Sequence, residues 1–186
     1  MTTTTTTKPP LDERLRELIR KYKKKPEILR KGLKYFTYIS KITDEELENY
    51  IEEQRKGDKT ISGGLAQSVL YIREKEKGKL PKGSVNFDLP WGGSFLVFDK
   101  EGEGSGYIFS GSFSGSYDIF SGKGSGRGAK FSGFYSGFHA KFSGDDSGSD
   151  VEFLGPFSGN FVEFSGKGSG SNVKLTGYLS GLGADF

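Results

Sequence analysis

The stretch SGYIFSGSFSG-SYDIFSGKGSG, Ser105–Gly126, decides the fold. It divides into two blocks of eleven residues with Phe109 and Phe120 fifth and Gly115 and Gly126 eleventh. The same frame extends without an insertion from Gly83 to a closing stub, Leu182–Phe186. Its fifth position reads Phe87, Phe98, Phe109, Phe120, Phe131, Phe142, Phe153, Phe164, Leu175 and Phe186, and all nine complete blocks end in glycine, from Gly93 to Gly181. A longer period of twenty-two lies inside it. The ninth position is Trp91, Phe113, Tyr135, Phe157 and Leu179 in odd blocks, but Gly102, Gly124, Asp146 and Gly168 in even ones. The second position of even blocks is Phe95, Tyr117, His139 and Phe161. One odd and one even block therefore make the repeating unit.

Val151, Phe153, Phe157 and Phe161 keep odd numbers across a block, and period two predicts strand. The parity slips once per block, between the second and third positions, which predicts a corner or bulge there. Two architectures follow: a β-solenoid of 22-residue coils, or an antiparallel meander with one strand per block. In the solenoid, equivalent phenylalanines stack at about 4.8 Å in the core. Invariant block length favours the solenoid, because each coil must match its neighbours while hairpin turns tolerate insertions. Disordered phenylalanine–glycine repeats need no rigid spacing, and the ladder of fifth positions speaks against them. An outer-membrane barrel needs strands of about 9–11 residues with an unbroken apolar face. Ser116–Gly126, with Lys123 and Gly124, offers none.

Upstream of Gly83 the chemistry changes. Residues 1–82 hold 20 Lys/Arg and 13 Asp/Glu, net +7, whereas residues 83–186 hold 7 and 11, net −4. Five of the 29 glycines and one of the 16 phenylalanines lie in the first part. Leu11, Leu15, Leu18 and Ile19 share a helical face, and Pro26 opens a second helix with Ile28, Leu29, Leu33 and Phe36. Thr43 and Glu46 form a capping box before Leu47, Tyr50 and Ile51, with Gly57 as a left-handed stop. A last helix is expected from Gly64 or Leu65 to Lys77, stopped by Gly78. Four short helices make a marginal core, so this half should lean on the repeat or on another chain. The expected fold class is α+β: a flexible arm (1–10), a basic helical domain (11–78), a linker (79–82) and an all-β repeat domain (83–186).

Composition excludes several chemistries. There is no cysteine and a single histidine, so disulfides, thiolate nucleophiles, zinc–cysteine and multi-histidine sites are ruled out. No run of about 18 apolar residues is present. Met1–Thr7 followed by Lys8-Pro9-Pro10 lacks the apolar segment of a signal peptide, which makes the cytoplasm the default expectation. His139 occupies a slot otherwise held by Phe or Tyr, and reads as a packed aromatic substitute rather than a base. Gly102-x-Gly104 lacks the strand–helix context of a phosphate loop, and the lysine of Gly57-Asp58-Lys59-Thr60 is misplaced for one. Asp145, Asp146 and Asp150 occur in one coil alone, and read as a solvated loop before a calcium site. No catalytic residue, cofactor site or metal site is assigned, and no small-molecule substrate is expected.

Residues 1–42 hold 12 Lys/Arg against 4 Asp/Glu. Arg20, Lys21, Lys23, Lys24, Lys25, Arg30, Lys31 and Lys34 are the candidate phosphate contacts, toward nucleic acid or an anionic membrane surface. A solvated helix face explains the same residues without a partner. Abundant Lys and Glu with two Gln and four Asn hint at a thermophilic source.

Val151-x-Phe153-x-Gly155-x-Phe157-x-Gly159-x-Phe161 resembles the cores of bactofilins, polymer-forming cytoskeletal β-solenoids, over residues 83–186. That resemblance implies nucleotide-free filaments built by end-to-end stacking in the cytoplasm, often against a membrane. The chain departs from it in longer coils, a phenylalanine core and helical flanks. The expected function is a non-enzymatic structural protein that self-assembles as a filament, shell or appendage. Alternatives are an adhesin or viral-fibre-like receptor binder, and a nucleic-acid-binding protein using the basic helices. The last stub ends on a ladder residue, which makes Leu182, Ala184 and Phe186 the expected self-association residues of a homo-oligomer, while the divergent Gly83–Gly104 suggests a capped opposite end.

Overall fold

The computed structural model describes residues 9–39 and 41–186. Most of the expected N-terminal arm thus lies outside the described residues; Pro9 and Pro10 precede the first helix. Four helices follow: α1 (Leu11–Tyr22), α2 (Pro26–Ile39), α3 (Asp44–Lys56) and α4 (Ile61–Glu76). Pro26 opens α2 as its fixed φ favours. Thr43 caps α3 through the reciprocal bonds of a capping box with Glu46.

Two helix boundaries differ from the sequence reading. Gly57 is not left-handed (φ −113°, ψ −144°). The chain leaves α3 extended so that Thr60 can cap α4, accepting the Gly63 N–H. Helix α4 accordingly starts earlier than expected, at Ile61, and takes both glycines into its first turn. Packing demands them: a Cβ on Gly64 would lie 1.8 Å from the Pro90 carbonyl oxygen.

The repeat is a β-solenoid of about four coils, not a meander. Nine two-residue strands form two parallel stacks. β1 (Asn86–Phe87), β3 (Ile108–Phe109), β5 (Lys130–Phe131), β7 (Glu152–Phe153) and β9 (Lys174–Leu175) make one, in that order. β2 (Val97–Phe98), β4 (Ile119–Phe120), β6 (Lys141–Phe142) and β8 (Glu163–Phe164) make the other. Each strand from β1 to β7 pairs in register with the one 22 residues on, as Phe109 with Phe131. Fifth-position rings fill the interior between the two stacks. Along each stack they lie nearly parallel, 4.5 Å between Phe109 and Phe131. Across the core they meet edge to face, 6.5 Å and 87° between Phe109 and Phe120, the two arrangements an aromatic quadrupole favours. On the outer face, Glu152 sits between Lys130 (3.3 Å) and Lys174 (2.8 Å), and Lys141 meets Glu163 at 2.7 Å. These alternating charges penalise a slipped register.

The strands are shorter, and the corners larger, than period two implied. Positions eight to two form a continuous turn, in which positions nine, eleven and two all have positive φ, as at Phe113 (57°), Gly115 (64°) and Tyr117 (59°). The apparent alternation past the fifth residue is therefore a left-handed turn, not strand. Hydrogen bonds between coils persist through it: the Phe113 N–H donates to Phe134 O (2.8 Å) and the Tyr117 N–H to Phe138 O (2.8 Å). Glycine at position seven has a steric origin. A Cβ on Gly133 would lie 2.1 Å from the carbonyl oxygen of Gly111 in the preceding coil. The first coil has no predecessor, and there the position holds Leu89 and Lys100.

Helix α4 covers that first coil. Tyr71 packs on Phe87, Phe98 and Tyr107 (5.9, 5.6 and 6.1 Å), and its hydroxyl donates to Glu103 at 2.8 Å. Lys75 donates to Glu103, Asp99 and the Val97 carbonyl. Arg55 and Gln67 hold Asp88, whose carboxyl, despite burial, is kept below its ordinary range by those hydrogen bonds. The helical half leans on the repeat, as its small core required.

Candidate interaction surfaces

Each coil turns two corners on the same backbone. At one edge the left-handed positions are Gly102, Gly106, Gly124, Gly128, Asp146, Asp150, Gly168 and Asn172. These residue types visit this region most readily. Asp146 and Asp150, raised above as calcium ligands, fill such turn slots; Asp150 meets Arg127 at 3.4 Å and accepts from Asn172.

At the other edge the same positions carry bulky side chains in two stacked columns. Trp91, Phe113, Tyr135 and Phe157 follow one another at 5.1, 5.1 and 4.9 Å. Phe95, Tyr117, His139 and Phe161 do so at 5.7, 5.3 and 5.0 Å. His139 is a stacked ring, as its slot suggested, and its partial burial lowers its pKa below the ordinary histidine value. A left-handed L-residue costs about 1–2 kcal/mol where glycine costs little. The aromatics are thus not what the turn itself needs, as the opposite edge shows.

The helical half already occupies one end of this edge. Phe95 is buried in the helical core with Leu65, Ala66, Val69 and Leu89, and Trp91 and Tyr117 pack against it. Arg30 of α2 donates from Nε to Phe95 O (2.9 Å) and from Nη2 to Tyr117 O, joining two coils. Further along, the edge is bare: Phe134 is 46% exposed, Phe161 47% and Tyr178 72%. Glu103 and Asp118 depart from the repeat where the helices touch it. Glu103 replaces the serine of other coils and binds Tyr71 and Lys75; Asp118 replaces an apolar residue and lies buried near Arg30.

The expected self-association residues fall on two surfaces. Leu182 extends the aromatic edge and is exposed. Ala184 packs against the ladder core, and Phe186 stacks on Phe164 at 4.9 Å while remaining 66% exposed.

The eight basic candidates separate. Arg20, Lys21, Lys23, Lys24 and Lys25 are exposed at the end of α1 and the turn after it, with the Lys21 ammonium over the Tyr22 ring at 5.1 Å. Arg30, Lys31 and Lys34 instead line a groove of about 410 Å³ between α2, α4 and the first coil, joined there by Lys75 and Lys100. Spacing along α2 placed the first three on one element; Lys100 reaches them only through the fold.

Among the described residues, no cluster of three or more His, Asp and Glu could hold a metal ion, and no helix is long and apolar enough to cross a membrane. Compared with protein-family profiles, curated proteins and solved structures, the chain matches none.

Proposed function

We propose that this chain is a non-enzymatic structural protein that self-assembles through the bare part of its aromatic edge. One observation carries the reading. The two edges share a backbone, yet one places Tyr135, His139, Phe157 and Phe161 in left-handed positions that glycine, aspartate or asparagine fills on the other. A contiguous apolar strip maintained against backbone preference marks an interaction surface.

The occupant is a second copy. Within one chain, helices already pack on the first rungs of this edge, so a helical surface is its natural complement. The outer face of α2 offers one, with Tyr35, Tyr38 and Ile39 all exposed. Charge agrees, because the helical half carries +7 and the repeat −4. A helix face of one copy on the edge of the next is a heterologous contact, which propagates into a polymer unless it closes. The bactofilin-like pattern points the same way, toward filaments.

Light scattering and negative-stain imaging of the pure protein test this. Ordered polymers or discrete oligomers are expected. Tyr135→Gly with Phe161→Gly, which suit the left-handed backbone, should give monomers of native helix and sheet content. A wild type that stays monomeric at high concentration, or a variant that assembles like it, overturns the proposal.

A further inference from the structure

The groove between α2, α4 and the first coil has a feature that assembly does not use. Its floor is apolar, built from Ile72, Phe95, Leu96 and Val97. Five cations line it, Arg30, Lys31, Lys34, Lys75 and Lys100, against two carboxylates, Glu76 and Asp99. About 410 Å³ lies within the range of small-molecule sites.

The cations differ in how far the protein neutralises them. Lys75 is saturated by Glu103, Asp99 and a carbonyl. Lys31 and Lys34 meet Glu27 and Glu76 at 3.4 and 3.9 Å in exposed pairs, which hold a charge weakly. Lys100 makes no ion pair among the described residues. Arg30 is partly buried and spends two N–H groups on carbonyl oxygens rather than carboxylates. The acidic groups that act on it, Asp118 and Glu27, do so through space without a hydrogen bond. A guanidinium has five donors, and Nη1 of Arg30 has no partner among the described residues. Covering such a charge with an apolar ligand is unfavourable unless the ligand brings an anion to compensate it.

We propose that this groove binds one anionic amphiphile, a phosphate monoester head on an alkyl or acyl chain. The head lies against Arg30, Lys34 and Lys100, and the chain covers Ile72, Phe95, Leu96 and Val97. An anion without an apolar body leaves the floor wet, and an alcohol without charge leaves Arg30 uncompensated. Both halves of the ligand are therefore needed.

Calorimetric titration of the full chain tests this, with decyl phosphate kept below its aggregation concentration. Saturation at one molecule per chain is expected, with inorganic phosphate and decanol each weaker by about tenfold or more. Lys34→Glu combined with Lys100→Glu, both at exposed positions, should weaken decyl phosphate by about tenfold or more without changing the fold. Unchanged affinity in that variant overturns the site, and so does inorganic phosphate binding as tightly as decyl phosphate. Vesicles containing phosphatidylglycerol separate a groove from a membrane-facing patch. Capture by vesicles with no binding of monomeric decyl phosphate assigns the cations to a surface and overturns the groove. Tyr135→Gly with Phe161→Gly should retain decyl phosphate binding, so failure of assembly and failure of this site are read separately.

Discussion

The rings of Phe98 and Phe120 lie 4.4 Å apart with 6° between their planes, one coil on the next. That separation is close to the spacing of hydrogen-bonded strands, so backbone pairing and ring stacking reinforce each other along the axis. The consequences are open to measurement.

Phe131 is fully buried, stacked between Phe109 and Phe153 at 4.5 and 4.9 Å. Phe131→Ala should lose about 3–5 kcal/mol, the usual cost of emptying an aromatic core position. Urea unfolding checks it; a variant as stable as wild type would remove the ladder as the main source of cohesion.

Two neighbouring glycines separate steric need from backbone need. Gly133→Ala drives a Cβ to 2.1 Å from Gly111 O and should prevent the coils from closing. Gly128→Ala meets nothing within 4 Å at φ +64°, and should cost only the strain of a left-handed alanine, about 1–2 kcal/mol. Circular dichroism melts of both variants give the comparison; equal losses would contradict the close-approach account.

Glu103 joins the two halves. Its side chain is 1% exposed and accepts from Tyr71 (2.8 Å) and Lys75 (2.9 Å). Glu103→Ala leaves the buried Tyr71 hydroxyl without its acceptor and Lys75 with Asp99 as its remaining carboxylate, which should cost about 1–3 kcal/mol. Hydrogen exchange should quicken first in α4 and the first coil. Uniform quickening in every coil would mean that the helices and the repeat do not part there.

Asp118 should give the stability a pH dependence of unusual sign. Burial raises its carboxyl pKa well above the ordinary range, against the opposing effects of the Leu96 N–H and Arg30. The folded state therefore holds this proton more tightly than the unfolded one. Its contribution is greatest below the unfolded pKa, near 3.9, and declines as pH rises toward the folded value. Subtracting Asp118→Asn from wild type should thus reveal a term favouring wild type more at pH 4 than at pH 7. The opposite slope would show that Arg30 holds this group ionised.

Much of this architecture is legible in the chain itself. Eleven-residue phase, twenty-two-residue coils and fifth-position ladders all follow from equivalent residues recurring at fixed intervals. Parallel stacking of coils preserves such intervals, so the repeat is written directly in the sequence. The alternation implies longer strands than form, because Phe157 and Phe161 keep the parity of Phe153 while sitting in left-handed turns. Side-chain periodicity carries no sign of φ. Glycine weakens a helix locally and so suggests a later start for α4, whereas Gly63 and Gly64 are set by the approach of Leu89 and Pro90.

The sequence by itself determined the coil, its phenylalanine core and the change from a basic helical half to an acidic repeat. These are local or periodic properties, and they survive projection onto one dimension. Tertiary structure alone decided which edge the helices cover, where Arg30 finds the carbonyls of Phe95 and Tyr117, and which lysines share a groove with Lys100. Those contacts join residues some 65 to 87 positions apart, with no repeat to announce them. They depend on how two bodies of different symmetry dock, which no spacing within either body encodes.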